Sequence, residues 1–197
     1  TNYMTAAGFP DTDGETFRIT RQIHSGLLGI KPGTADIQPE LAESWTPSED
    51  GLSWSFKLRQ GVKFSDGTAF DAKAVCYNLD RMYNQKGAGQ TAAEYWTYFF
   101  GTFSDDPSGS LYKSCEAKDD ATAVINVTRT TSSFPTILSL DSFSMQSPTA
   151  LEKGDANNVQ TAGEGFTYPE YSKNPVGIGP YKLSKYDEAN KTVTLVA

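Results

Sequence analysis

From Leu52 to Leu58 the chain alternates without exception. Leu52, Trp54, Phe56 and Leu58 fall on one side, and Ser53, Ser55 and Lys57 on the other. Period two of this kind predicts a strand with one face on a core and the other toward water. Val62 and Phe64 predict a second short strand, closed by the Asp66-Gly67 turn. Asp71 then caps a predicted helix reaching Tyr83. Its apolar stripe is Ala72, Val75, Cys76, Leu79, Met82 and Tyr83, which puts Cys76 on the buried side.

Asp13 to Leu28 reads as a helix, with Asp13 as N-cap and Phe17, Ile19, Ile23 and Leu27 on its apolar side. Gly26 and Gly29 weaken its end. The stretch 31–39 reads as a loop, Glu40 to Trp45 as a short amphipathic element, and Pro47 to Gly51 as a turn. Glu94 to Phe103 is dense in aromatics. Ala123 to Thr128 reads as a strand. Pro135 and the Ser147-Pro148 pair each open a short helix. Residues 157–174 read as polar loop. Tyr181 to Tyr186 and Thr192 to Ala197 predict a hairpin turning through Asp187 to Asn190. Helices and strands mix, so the class is α/β or α+β. The last apolar strand runs into the end of the chain without a stop signal, as expected of a piece of something longer.

Composition narrows the functions. With 197 residues, 38% of them hydrophobic, the chain can bury a core. No apolar run approaches the roughly 18 to 20 residues a membrane-spanning helix needs. A net charge of −7 offers no basic footprint for nucleic acid. His24 is the only histidine, which disfavours a zinc site and any triad that does not use it. Cys76 and Cys115 stand 39 positions apart, too far for a CxxC pair; a disulfide and two buried thiols both remain open. No leader pattern precedes Thr1, which fits a cytoplasmic chain or a removed signal.

The motifs of catalysis are missing from the sequence. It contains no G-x-S-x-G, Walker A or H-E-x-x-H. Gly177-Ile178-Gly179 precedes a strand and lacks the third glycine of a dinucleotide loop. The carboxylates form no acid–base pair. The aromatics around Tyr95 and Trp96 fit either a packed core or a ligand wall. A ligand wall would let Trp96→Ala weaken binding without lowering stability, and a core would not.

From Leu41 to Arg81 the sequence resembles the family 5 solute-binding proteins of dipeptide, oligopeptide and nickel importers. The likeness rests on Leu41-Ala42-Glu43-Ser44-Trp45, Asp50-Gly51-Leu52, Phe56-Lys57-Leu58-Arg59, Gly61-Val62-Lys63-Phe64, Asp66-Gly67-Thr68 with Phe70, and the helix carrying Asp71, Ala74, Val75 and Asp80-Arg81. Asn174 to Tyr181 is similar to the family's N-P-V-G-T-G-P-Y segment, with Ile178 in place of Thr.

The resemblance implies an α/β, periplasmic-binding-protein-like first lobe of the large type II cluster. Its mixed sheet would carry flanking helices, with residues 1–197 forming the lobe and the second lobe absent. About 41–150 would form an annex subdomain, and 174–197 would return to the main sheet. It implies capture of a peptide or small solute outside the membrane and delivery to an ABC permease and its ATPase subunits. No cofactor, catalysis or nucleic acid is implied. The protein would be an extracytoplasmic monomer, periplasmic or a cell-surface lipoprotein, touching the membrane through a lipid anchor or the permease. A sensor relative and an isolated lobe that binds nothing are the alternatives; a secreted hydrolase is the least favoured. The VCYN and YKSCEAKDD segments resemble members that carry a Cys76–Cys115 disulfide. By the same resemblance, Asp13, Gly14, Tyr95, Trp96, Phe143 and Met145 are candidate ligand contacts, and Gly177 and Gly179 are turns on the hinge side.

Overall fold

A computed structural model describes residues 14–187, 189–190 and 192–197. Helix α1 covers Gly14–Ile23 and stops five residues short of its predicted end. The His24 N–H still donates to the Thr20 carbonyl, but Ser25 bridges across to Met145. Strand β1 (Leu28–Ile30) follows and pairs antiparallel with β2 (Ile37–Pro39), where a loop was predicted. Two glycines in four residues weaken a helix. The extended path satisfies their backbone elsewhere: Leu41 N–H donates to the Gly26 carbonyl and Ala42 N–H to that of Leu27. It also buries both Leu27 and Leu28.

The centre is a four-stranded antiparallel sheet. Its strands are β3 (Ala42–Pro47), β4 (Ser53–Leu58), β5 (Tyr112–Asp119) and β6 (Thr122–Val127), in the order β3-β4-β6-β5. Trp54, Phe56 and Leu58 point into the core, as the alternation predicted, while Leu52 lies half in water before the strand begins. The turn into β4 is closed by the Asp50 carboxylate, which accepts from Ser48 Oγ and the Leu52 N–H; Gly51 takes φ +67°. The predicted second strand at Val62 to Phe64 reduces to a single bridge, Lys63 to Ala69, around the Asp66-Gly67 turn.

Helix α2 (Ala72–Tyr83) lies on the sheet, capped as predicted by Asp71 Oδ1 accepting the Ala74 N–H at 2.9 Å. Its buried stripe packs on β5 and β6, and a Cys76–Cys115 disulfide ties it to β5. Arg81 is buried on the same helix, donating to the Ala156 carbonyl and Asn157 Oδ1, and this fastens the 156–157 loop. Short helices α3 (Ala88–Ala92), α4 (Glu94–Phe100), α5 (Phe134–Ile137) and α6 (Pro148–Lys153) enclose the remaining sides. Ser147 caps α6 and donates to Asp66 Oδ2 at 2.6 Å, joining that helix to the Asp-Gly turn.

Residues 157–174, predicted as loop, contain a hairpin of β7 (Gln160–Ala162) and β8 (Gly165–Thr167), with Gly163 at φ +61°. Five of its six strand residues are exposed, so no hydrophobic alternation announces it. Strands β9 (Lys182–Asp187) and β10 (Thr192–Val196) form the predicted hairpin. Among the described residues they pair with each other and not with the four-stranded sheet.

Candidate solute-binding face

Helical geometry sorts the aromatics of α4 into layers. Residues four apart share a face. Trp96 and Phe100 turn inward and stack with centroids 4.3 Å apart. Tyr95 and Phe99 run along the flank, 5.8 Å apart and nearly parallel. Tyr98 points outward, 82% exposed, with its ring edge-on to Phe99 at 4.9 Å.

Helix α1 extends the row. Phe17 meets Tyr95 at 6.1 Å, and Arg21, one turn on, lies 6.0 Å from the Phe17 ring centre. The Arg21 guanidinium also pairs with the Asp141 carboxylate. Tyr98, Phe99, Tyr95, Phe17, Arg21 and Asp141 therefore form a continuous line of half-open aromatic surface ending in an ion pair. Phe143 supports it from behind, edge-on to Phe99 at 6.3 Å. Such a surface can bury apolar area and stack on planar groups.

The sequence-predicted residues fall into three groups. Asp13 lies outside the described residues, and Gly14 starts α1 in the open. Tyr95 sits in the aromatic row. Trp96 is fully buried, its Nε1–H donating to the Thr102 carbonyl at 3.2 Å, so in this structure it is a core residue. Phe143 and Met145 are also buried, Met145 through the bridge to Ser25. Gly177 and Gly179 pack on the end of α1: the Gly179 N–H donates to the Ile23 carbonyl at 2.7 Å. A β-carbon on Gly179 would stand 2.4 Å from the Gln22 carbonyl oxygen, so close backbone approach explains glycine there. Phe17, Tyr98, Phe99 and the Arg21–Asp141 pair were not singled out. The i, i+4 spacing within Glu94 to Phe103 carried the signal for Phe99.

Beside Arg21, burial lowers the His24 imidazole to about 4, against a weaker raising influence of the Met145 backbone. Burial raises the Glu40 carboxyl, opposed by hydrogen bonds from the Ser25 side chain and the Gly26 backbone. Among the described residues, no three His, Cys, Asp or Glu side chains are grouped to hold a metal ion. No described helix is long and apolar enough to cross a membrane.

A sequence profile described as "Bacterial extracellular solute-binding proteins, family 5 Middle" matches residues 36–197. The glutathione-binding protein GsiB of Shigella flexneri is 32% identical over 192 residues, which is 96% of this chain and 31% of that protein. Among solved structures, the ABC transporter-associated periplasmic binding protein DppA from Helicobacter pylori, in complex with the peptide STSA, superposes with a TM-score of 0.74. It is 30% identical, over 98% of this chain and 36% of its own. The dipeptide binding protein from Pseudoalteromonas sp. SM9913, in complex with Met-Leu, gives a TM-score of 0.70 at 26% identity, over 90% and 34%. The chain thus spans about a third of the length of the relatives it matches. These matches confirm the expected mixed α/β architecture of a periplasmic binding protein, and the chain belongs to family 5 of the bacterial extracellular solute-binding proteins.

Proposed function

We propose that this chain forms part of the substrate-binding component of an ABC importer. It captures a peptide or related small solute outside the membrane for delivery to a permease, without catalysing a reaction. Membership in a family of solute-binding proteins supports this reading, as do the peptide and dipeptide held by two structural neighbours. The observation that carries it is the aromatic row Phe17–Tyr95–Phe99–Tyr98, which leaves ring surface open in an otherwise well-packed lobe. In this reading residues 1–197 are the first lobe, about 41–150 is an annex, and 174–197 leads back to a larger sheet. A second lobe would close over the aromatic row by a hinge motion. The segment with Gly177 and Gly179 lies against α1, with its glycines admitting the close contact, and in this reading it is on the hinge side.

Tyr95 would supply the wall that meets the solute, with Phe143 fixing the rings behind it. Calorimetric titration of a di- to tetrapeptide library into the full-length protein tests this. Tyr95→Ala should weaken binding by roughly ten-fold, the size of a lost aromatic contact, while leaving the melting temperature nearly unchanged. Equal binding by wild type and Tyr95→Ala would move the solute away from this face.

A further inference from the structure

A second opening, of about 430 Å³, lies between the end of α1, the β1–β2 hairpin and the 139–144 segment. It adjoins the aromatic row through Arg21 and Asp141, which line it, but none of the row's rings does. Its polar groups are incompletely satisfied. His24 lines it and is 5% exposed; the Met145 backbone lies beside the ring, yet neither ring nitrogen makes a hydrogen bond of normal geometry. Glu40 lines it too. Its carboxylate lies over the hairpin backbone, where a β-carbon on Gly29 would stand 3.1 Å from Oε2. None of the ion pairs among the described residues involves Glu40. Asp141 adds a second negative charge, which Arg21 offsets. Leu28, Ile30 and Leu140 supply apolar wall.

The cleft therefore holds one carboxylate in excess and a buried neutral imidazole able to accept a proton bond. Both lack a donor. A half-buried carboxylate gains most from a cation that also brings N–H groups. We propose that this cleft binds a small organic cation, an alkylammonium head seated between Glu40 and His24 with its alkyl part against Leu28 and Leu140. Glu40 is the charge-reading residue, and the Arg21–Asp141 pair keeps the far wall in place.

Because His24 is the only histidine, its imidazole Cε1–H signal reports the cleft without assignment of the rest. The labelled chain would be titrated with butylammonium chloride, and separately with sodium butyrate and butan-1-ol. A saturable shift with butylammonium alone is expected. It should be at least about ten-fold weaker in Glu40→Gln, and unchanged in Tyr95→Ala. Asp141→Asn, which unmasks the Arg21 charge, should also weaken it and provides the test should Glu40→Gln not fold. No saturable shift, an equal shift with butyrate or butanol, or full retention in both charge variants would overturn the proposal. Loss of the shift in Tyr95→Ala would overturn it as well, and would assign the cation to the aromatic row.

Discussion

A β-carbon on Gly177 would stand 2.3 Å from Nδ1 of His24, and equally close to the Ile23 carbonyl oxygen. The segment 177–179 is thus seated directly on the end of α1. Gly177→Ala should cost about 1 to 3 kcal/mol, because backbone and a buried ring must both yield. Thermal melting of the variant checks this. An unchanged midpoint would mean that the contact is loose in solution.

The same imidazole makes stability depend on pH. Its folded value, about 4, lies below the unfolded value of 6.5, so between these the unfolded chain binds the extra proton. Stability is full above pH 6.5 and falls as pH drops toward 4, by on the order of 2 to 3 kcal/mol. Glu40, raised by burial, works in the opposite direction. Melting curves at pH 7 and 5 should therefore show a smaller acid loss for His24→Gln than for wild type.

Trp96 and Tyr98 are two residues apart and should behave oppositely. Trp96→Ala empties a fully enclosed site and should cost about 3 to 5 kcal/mol. Tyr98→Ala removes an exposed ring and should change stability by no more than about 0.5 kcal/mol. Denaturant titration of both variants makes the comparison. A Trp96→Ala chain of wild-type stability would return Trp96 to the ligand face.

Reducing the Cys76–Cys115 disulfide should lower stability by about 3 to 4 kcal/mol in the chain-entropy view, near 10 °C in melting midpoint for a chain of this size. Calorimetry with and without dithiothreitol measures it, and Cys76→Ser with Cys115→Ser should reproduce the reduced value.

Where a segment's own side chains decide its structure, the sequence was readable. The alternation of β4, the Asp71 cap of α2, the Ser147-Pro148 start of α6 and the β9–β10 hairpin were all legible before any coordinates. Strand β5 was not, since Lys113, Ser114, Glu116 and Lys118 give no apolar period; β6 and the disulfide hold it in place. The β1–β2 hairpin was hidden because Leu27 and Leu28 fit a helical stripe as well as a buried strand. Aromatic content pointed to α4 as a candidate site. Which rings face out followed from helical phase, and this divided Tyr95 and Tyr98 from Trp96.

Strand β5 closes one side of the four-stranded sheet, and among the described residues its outer backbone groups have no neighbouring strand. Such a margin invites another polypeptide to pair with it. Here Lys113, Glu116, Lys118 and Asp119 all stand exposed along the strand, and charges on an edge discourage that pairing. Neutralising all four together would leave an edge with little to oppose intermolecular sheet growth, so the density of charge that hid β5 as a strand also guards its open side.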